Sequence, residues 1–113
     1  QDPERGKSWK IGMAHSEGWI GYLRSGCLFL KYFDRIEGRT YPDGNVNFEV
    51  FNGRSVMELE SLSPLVTLQP GESVAHDEEW AVAKAVPMCP TEVEIDATIR
   101  PIVERERPVK VPS

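Results

Sequence analysis

Residues 41–71 have the sequence YPDGNVNFEVFNGRSVMELESLSPLVTLQPG. Within it, two runs in which apolar and polar residues alternate, 45–51 and 55–61, flank the dipeptide Asn52-Gly53. Alternation indicates a β-strand with one buried face, and Asn-Gly is the strongest short-range signal for a β-hairpin. The stretch therefore predicts a hairpin, closed by a two-residue turn or a four-residue loop, and then a third strand over 65–68.

Either closure gives the hairpin the same two faces, because both loops contain an even number of residues. One face is apolar and carries Val46, Phe48, Val50, Met57 and Leu59. The other face gathers three carboxylates and an amide, in the set Asn47, Glu49, Phe51, Arg54, Val56, Glu58 and Glu60. We call Asn47, Glu49, Glu58 and Glu60 the carboxylate face, and it is the predicted functional surface.

The rest of the chain also predicts strands, with short turns between them. Alternation or two-sided apolar runs predict strands over 8–13, 19–23, 27–33, 73–85 and 92–100, and Gln69–Glu72 has the type II turn signature. A buried helix turn is the alternative for 27–33, and a helix is the alternative within 73–85. About eight strands predict an all-β, antiparallel β-sandwich or a strongly curved sheet.

Length and composition predict one domain: a flexible arm over 1–7, a single β-sandwich domain over 8–104 and an extended tail over 105–113. The net charge of −5 argues against a nucleic-acid partner. The sequence contains no run of about 18 apolar residues, so no membrane-spanning helix is predicted.

Two cysteines are too few for a disulfide framework. Free thiols, with Cys27 in the core, and a cytoplasmic location are favoured over a bridge between Cys27 and Cys89, which stays an alternative. No zinc-ligand or calcium-loop spacing is found, so neither a metal nor a cofactor is predicted.

Neighbouring carboxylates on one sheet face raise one another's pKa, so one of them can act as a general acid or base near neutral pH. Beside amides and aromatic rings, such a face suits a sugar, which presents hydroxyls and an apolar ring face. The sequence offers Trp80, Tyr41 and Tyr22 as platforms, and Lys31, Arg39 and Arg54 as counter-charges. The competing interpretation, favoured by the pattern alone, is that the glutamates keep an exposed sheet face in water.

From about residue 9 to 82 the chain resembles galactose-mutarotase-like proteins, the aldose 1-epimerase superfamily, and most closely an uncharacterised bacterial family within it. Two stretches carry the wider resemblance, Leu59–Pro64 and Leu68–Ser73. The motifs shared with the bacterial family lie at Lys10–Gly12, Gly18–Tyr22, Leu28–Phe33, Tyr41–Gly44, Glu49–Phe51, Glu58–Glu60 and Pro70–His76.

The resemblance implies a supersandwich fold of which this chain supplies half. It implies that Glu60 stands at the position of the catalytic base, which removes the proton of the anomeric hydroxyl. The partner acid in mutarotases is a histidine from the half that has no counterpart here, and Leu62 stands where they carry Gln. The expectation is therefore a carbohydrate-binding module or a degenerate mutarotase relative. An epimerase-like enzyme with Glu60 as base, and a structural or interaction protein without a small-molecule site, are the alternatives.

The predicted site has one catalytic candidate, Glu60. Its ligand-binding candidates are Asn47, Glu49, Glu58, Trp80, Lys31, Tyr41 and Arg54. The two histidines, His15 and His76, are interpreted as surface or structural residues. A half-supersandwich leaves a sheet face or edge uncovered, so a homodimer is predicted.

Overall fold

The computed structural model describes residues 9–13, 17–53 and 55–109. In this part of the chain there are six strands: β1 Trp9–Met13, β2 Trp19–Arg24, β3 Cys27–Tyr32, β4 Phe48–Asn52, β5 Met57–Ser61 and β6 Glu79–Ala83. The helical segments are α1 Pro42–Asn45, α2 Glu92–Glu94, a π-helical turn Ile95–Ile99 and α3 Arg100–Glu106. The chain divides into two compact units, Gln1–Glu17 with Asp34–Asp77 and Gly18–Phe33 with Glu78–Ser113.

The first unit contains an antiparallel sheet in the order β1–β4–β5. The predicted hairpin is confirmed: β4 pairs with β5, and Asn52 lies opposite Met57. The pairing of Asn52 with Met57 matches the longer of the two predicted closures, and the Gly53 N–H donates to the Val56 carbonyl at 2.7 Å. Phe48, on the apolar face, is buried at 2% exposure.

The third strand predicted over 65–68 is not formed. The Leu65 N–H donates instead to the carbonyl of Thr40 at 2.7 Å. The segment lies between Pro64 and Pro70, and proline has no N–H to give to a ladder. The type II turn is confirmed, with Gly71 at a φ of 90° and the Glu72 N–H donating to the Gln69 carbonyl at 3.0 Å.

The second unit contains a second antiparallel sheet, in the order β2–β3–β6. Its central strand β3 is buried on the face of Leu28, Leu30 and Tyr32. The other face is only partly covered, since Cys27 is exposed and Phe29 is half-buried, so the two-sided burial that the apolar run predicts is found in part. Alternate residues of β3 join a core with residues from the end of the chain, and the buried members of this core are Leu28, Leu30, Tyr32, Val86, Ile99 and Val103. The Tyr32 hydroxyl donates to the Val103 carbonyl at 2.8 Å and ties the sheet to α3.

The prediction of an edge strand over 92–100 is wrong, because this segment is helical. Thr91 and Glu94 form a capping box, in which the Thr91 hydroxyl accepts from the Glu94 N–H and the Glu94 carboxylate accepts from the Thr91 N–H. The π-helical turn directly precedes α3, whose second residue is Pro101. Proline has no N–H to donate, and its ring conflicts with the carbonyl four residues earlier in a regular α-helix, so a regular α-helix cannot run unbroken through this position.

Two further expectations need correction. The long strand predicted over 73–85 is limited to β6, whose Ala81 and Ala83 pack against the core while Trp80 and Val82 are exposed. Cys27 is exposed and not a core residue, although both cysteines are free. The chain is thus mostly β with antiparallel sheets, in six strands of the described residues and not about eight. The described helices are all too short to cross a membrane.

Candidate functional site

The β4–β5 hairpin brings the predicted carboxylates together. Glu49 lies directly opposite Glu60, and the next pair on the same face of the hairpin is Phe51 opposite Glu58. Directly opposed residues of an antiparallel pair project from the same face, so the three glutamates share one side of the sheet. The pairing continues past β5, since the Leu62 N–H donates to the carbonyl of the buried Asn47 at 2.9 Å.

Strand β1 supplies a cation that the sequence interpretation missed. Lys10 lies opposite Phe51, and its Nζ is 2.6 Å from Glu49 Oε2 and 3.9 Å from Asp43 Oδ2. The Glu49 side chain is only 2% exposed, whereas that of Lys10 is 51% exposed. The hydrogen bond to Glu49 raises the pKa of Lys10. The ion pair thus joins a buried carboxylate to an ammonium group that water reaches.

Glu60 holds its proton more firmly than an ordinary glutamate side chain. The pKa of Glu60 is raised, chiefly by a side-chain hydrogen bond with Glu58 and then by burial, while Lys10 acts in the opposite direction. A carboxyl group whose pKa is raised toward neutrality can give or take a proton under ordinary conditions. The face therefore combines the Lys10–Glu49 ion pair with a Glu60 carboxyl group whose pKa is raised.

Tyr41, a predicted sugar platform, is an interior residue with 2% exposure. Its hydroxyl accepts from the Ile36 N–H at 2.8 Å, and its own N–H donates to Asn45 Oδ1 at 2.9 Å. The Arg35 guanidinium lies 5.0 Å from its ring centroid. These contacts hold the turn of α1 that brings Asp43 to Lys10.

The other predicted residues form a separate group in the second unit. Lys31 lies opposite Trp80 between β3 and β6, with its Nζ 5.7 Å from the Trp80 ring centroid and 3.1 Å from Glu78 Oε2. The Trp80 indole N–H donates to Glu78 Oε1 at 3.3 Å, and the Phe29 ring meets the indole edge-on at 5.6 Å. Trp80 is 66% exposed, so its ring is open to a ligand.

The remaining candidates are outside both groups. Arg54 and His15 lie outside the described residues, and Arg39 is exposed. His76 Nε2 is 2.8 Å from Ser61 Oγ. Among the described residues, no three histidine, cysteine or acidic side chains are arranged to hold a metal ion.

Comparisons with protein families, with curated proteins and with solved structures give no match to this chain.

Proposed function

We propose that the protein is a carbohydrate-binding domain whose ligand hydroxyls meet Lys10 and the accessible groups of the carboxylate face, Glu58 and Glu60. The observation that carries this proposal is the mixed chemistry of that face. A sugar hydroxyl both donates and accepts hydrogen bonds, whereas an ionised carboxylate only accepts and an ammonium only donates. The ion pair of Lys10 with Glu49, beside the carboxyl groups of Glu58 and Glu60, offers donors and acceptors within one sheet face.

Trp80 is proposed as a second contact point, in the second unit. An exposed indole offers a flat apolar surface to a sugar ring, and polar groups at its border can fix the ring's orientation. Lys31 and Glu78 border this indole. Because the two groups of residues belong to different units, each is tested by its own substitution.

We propose for the whole chain a galactose-mutarotase-like antiparallel β-sandwich that forms a homodimer in the cytoplasm. The motifs at Leu59–Pro64 and Leu68–Ser73 support the fold, together with the two antiparallel sheets. The two free cysteines support a reducing compartment.

An aldose epimerase-like activity is the second candidate, and the raised pKa of Glu60 favours it. In that role the ionised form of Glu60 accepts the proton of the anomeric hydroxyl, the C1–O5 bond breaks as the C1 carbonyl forms, and the ring oxygen takes a proton from solvent water. Polarimetry of freshly dissolved α-glucose and α-galactose tests this activity. A rate above that of buffer, lost in Glu60→Gln, supports it, and a rate equal to that of buffer rejects it.

Binding is tested by isothermal titration of the whole chain with a panel of neutral monosaccharides. Glu60→Ala should weaken binding at the first unit, and Trp80→Ala should weaken binding at the second. Glu37→Ala is the matched control, because it removes an exposed carboxylate from a loop of the first unit. If no sugar binds, or if Glu37→Ala and Glu60→Ala have equal effects, the proposal is rejected in favour of a structural or interaction protein.

A further inference from the structure

Strand β6 forms one edge of the second unit's sheet, whose order is β2–β3–β6. An edge strand presents unpaired N–H and carbonyl groups, and proteins guard such an edge with proline, a bulge or charged side chains. The middle of β6 has none of these guards, since the residues between Glu79 and Lys84 are Trp80, Ala81, Val82 and Ala83. Trp80 and Val82 are 66% and 59% exposed, so another strand can reach this edge.

The hydrogen-bond pattern of the sheet shows which backbone groups of β6 face outward. The Phe33 N–H donates to the Gly18 carbonyl, so the odd-numbered residues of β3 exchange hydrogen bonds with β2. Such pairs alternate along an antiparallel ladder, so the even-numbered residues of β3 bond the odd-numbered residues of β6, such as Ala81. The N–H and carbonyl groups of Trp80 and Val82 then point away from β3. Within the described part of the chain, no other segment bonds them.

The sequence of this edge is complementary to itself when two copies run antiparallel. With Ala81 opposite Ala81 of a second copy, Trp80 lies opposite Val82, and Glu78 lies opposite Lys84. An aromatic residue opposite a β-branched one, and opposite charges, are pairs that stabilise antiparallel strands. In this register the outward backbone groups of Trp80 and Val82 also meet, so each such pair can exchange two hydrogen bonds.

The charged residues at the two ends of the edge select this register. Lys84 is exposed and forms no ion pair with a described residue. The Glu78 carboxylate already binds Lys31, but its two oxygens have several acceptor sites, so it can bind Lys84 of the second copy as well. A shift of two residues either way keeps the backbone pairing but places Glu78 opposite Val82 or Val86, and the charge pair is lost.

We propose that β6 is the surface on which a second copy of this chain binds, with residues 78–84 of the two copies paired antiparallel about a two-fold axis at Ala81. An isologous contact of this kind uses the same patch on both copies. It joins the second-unit sheets of the two copies edge to edge, and it leaves the face with the Trp80 indole uncovered. The inference rests on the homodimer in the proposed function, to which it gives a contact surface, and it does not depend on sugar binding.

Sedimentation equilibrium in sugar-free buffer tests the contact. Wild-type protein should form a dimer, and Lys84→Glu should weaken dimerisation roughly tenfold, because it turns two opposite-charge pairs into like-charge pairs. Arg24→Glu is the matched control, since it reverses an exposed charge on β2, at the other edge of the same sheet, and it should leave the dimer intact. A monomeric wild type would overturn the homodimer and this surface together. A dimer that both variants weaken equally would overturn the surface alone.

Val82→Pro tests the backbone pairing independently of charge. Proline removes the outward N–H of residue 82 and no hydrogen bond to β3, so an edge strand can accept it. It should weaken dimerisation roughly a hundredfold, because the contact loses a hydrogen bond on each copy and the ring hinders the approach of the second strand. Val82→Thr keeps the N–H and the β-branched shape, and it should dimerise as the wild type does. A dimer that survives Val82→Pro would overturn the proposal, and if that variant does not fold, the comparison of Lys84→Glu with Arg24→Glu decides.

Discussion

Gly18 permits a close backbone approach at the start of the second unit's hairpin. Its φ is 82°, in the left-handed region, and its carbonyl accepts from the Phe33 N–H at 3.0 Å. A Cβ at this position would lie 3.2 Å from the Phe33 carbonyl oxygen, a backbone atom that cannot rotate away. Gly18→Ala therefore imposes both an unfavourable backbone conformation and a steric conflict on the hairpin that carries Lys31.

The substitution Gly38→Ala tests the cost of the left-handed backbone conformation without the steric conflict. The φ of Gly38 is 80°, and nothing lies within 4 Å of the Cβ that alanine would add. A left-handed alanine costs about 1–2 kcal/mol, and about 0.4–1 kcal/mol of this is offset because alanine restricts the unfolded chain. We therefore expect Gly38→Ala to lower the free energy of unfolding by about 1 kcal/mol. Gly18→Ala also weakens the Phe33 hydrogen bond, which adds about 0.5–1.5 kcal/mol, for a total of about 2 kcal/mol.

The assay is thermal unfolding of both variants, followed by circular dichroism. A loss of 1 kcal/mol lowers the Tm of a domain of this size by about 4–8 °C, so Gly18→Ala should melt about 5 °C below Gly38→Ala. Equal melting temperatures for the two variants would refute the steric argument. A loss with Gly18→Ala and none with Gly38→Ala would instead show that the left-handed conformation at Gly38 has no cost.

Three further outcomes follow from contacts of the described residues. Lys10→Met should lower the Tm more than Glu49→Gln, because it leaves a buried carboxylate without its cation while Glu49→Gln leaves an ammonium in water; the reverse order would contradict the ion-pair geometry. The raised pKa of Glu60 stabilises the fold most below the ordinary glutamate value of 4.5, and this contribution is lost as pH rises through the higher folded-state pKa. A Tm-versus-pH curve for Glu60→Gln should lack that decline, and a curve parallel to the wild type would argue against it. Thr91→Ala should cost about 1 kcal/mol in urea unfolding because it removes the helix N-cap, whereas Thr40→Ala should have little effect.

The hairpin of the first unit was predictable because its signals are local. The alternation on either side of Asn52-Gly53 fixes which side chains share a face, and the observed register keeps those faces. The helical segment after Thr91 was not predicted, because Val93, Ile95, Ala97 and Ile99 also alternate as in a strand. A capping box and buried residues four apart, at Ile99 and Val103, are the helical signals that outweigh this alternation.

The candidate site was also predictable only where its residues lie close together in the sequence. Glu49, Glu58 and Glu60 lie on one hairpin, so their proximity could be predicted from its periodicity. Lys10 could not be assigned to Glu49, because strands β1 and β4 are separated in the sequence by the whole of β2 and β3. No local sequence pattern indicates which distant strand pairs with β4. Nor does residue type reveal whether an aromatic side chain is a surface platform, since Tyr41 is buried while Trp80 is open.

The proton near Glu60 separates the two proposed functions without knowledge of the natural ligand. In binding, the protonated form of Glu60 would supply a hydrogen-bond donor, so affinity should fall as pH rises through the pKa of Glu60. Epimerisation uses the ionised form as a base, so its rate should rise over the same interval. Opposite pH profiles for affinity and rate would identify Glu60 as the titrating group, and Glu60→Gln should abolish both dependences.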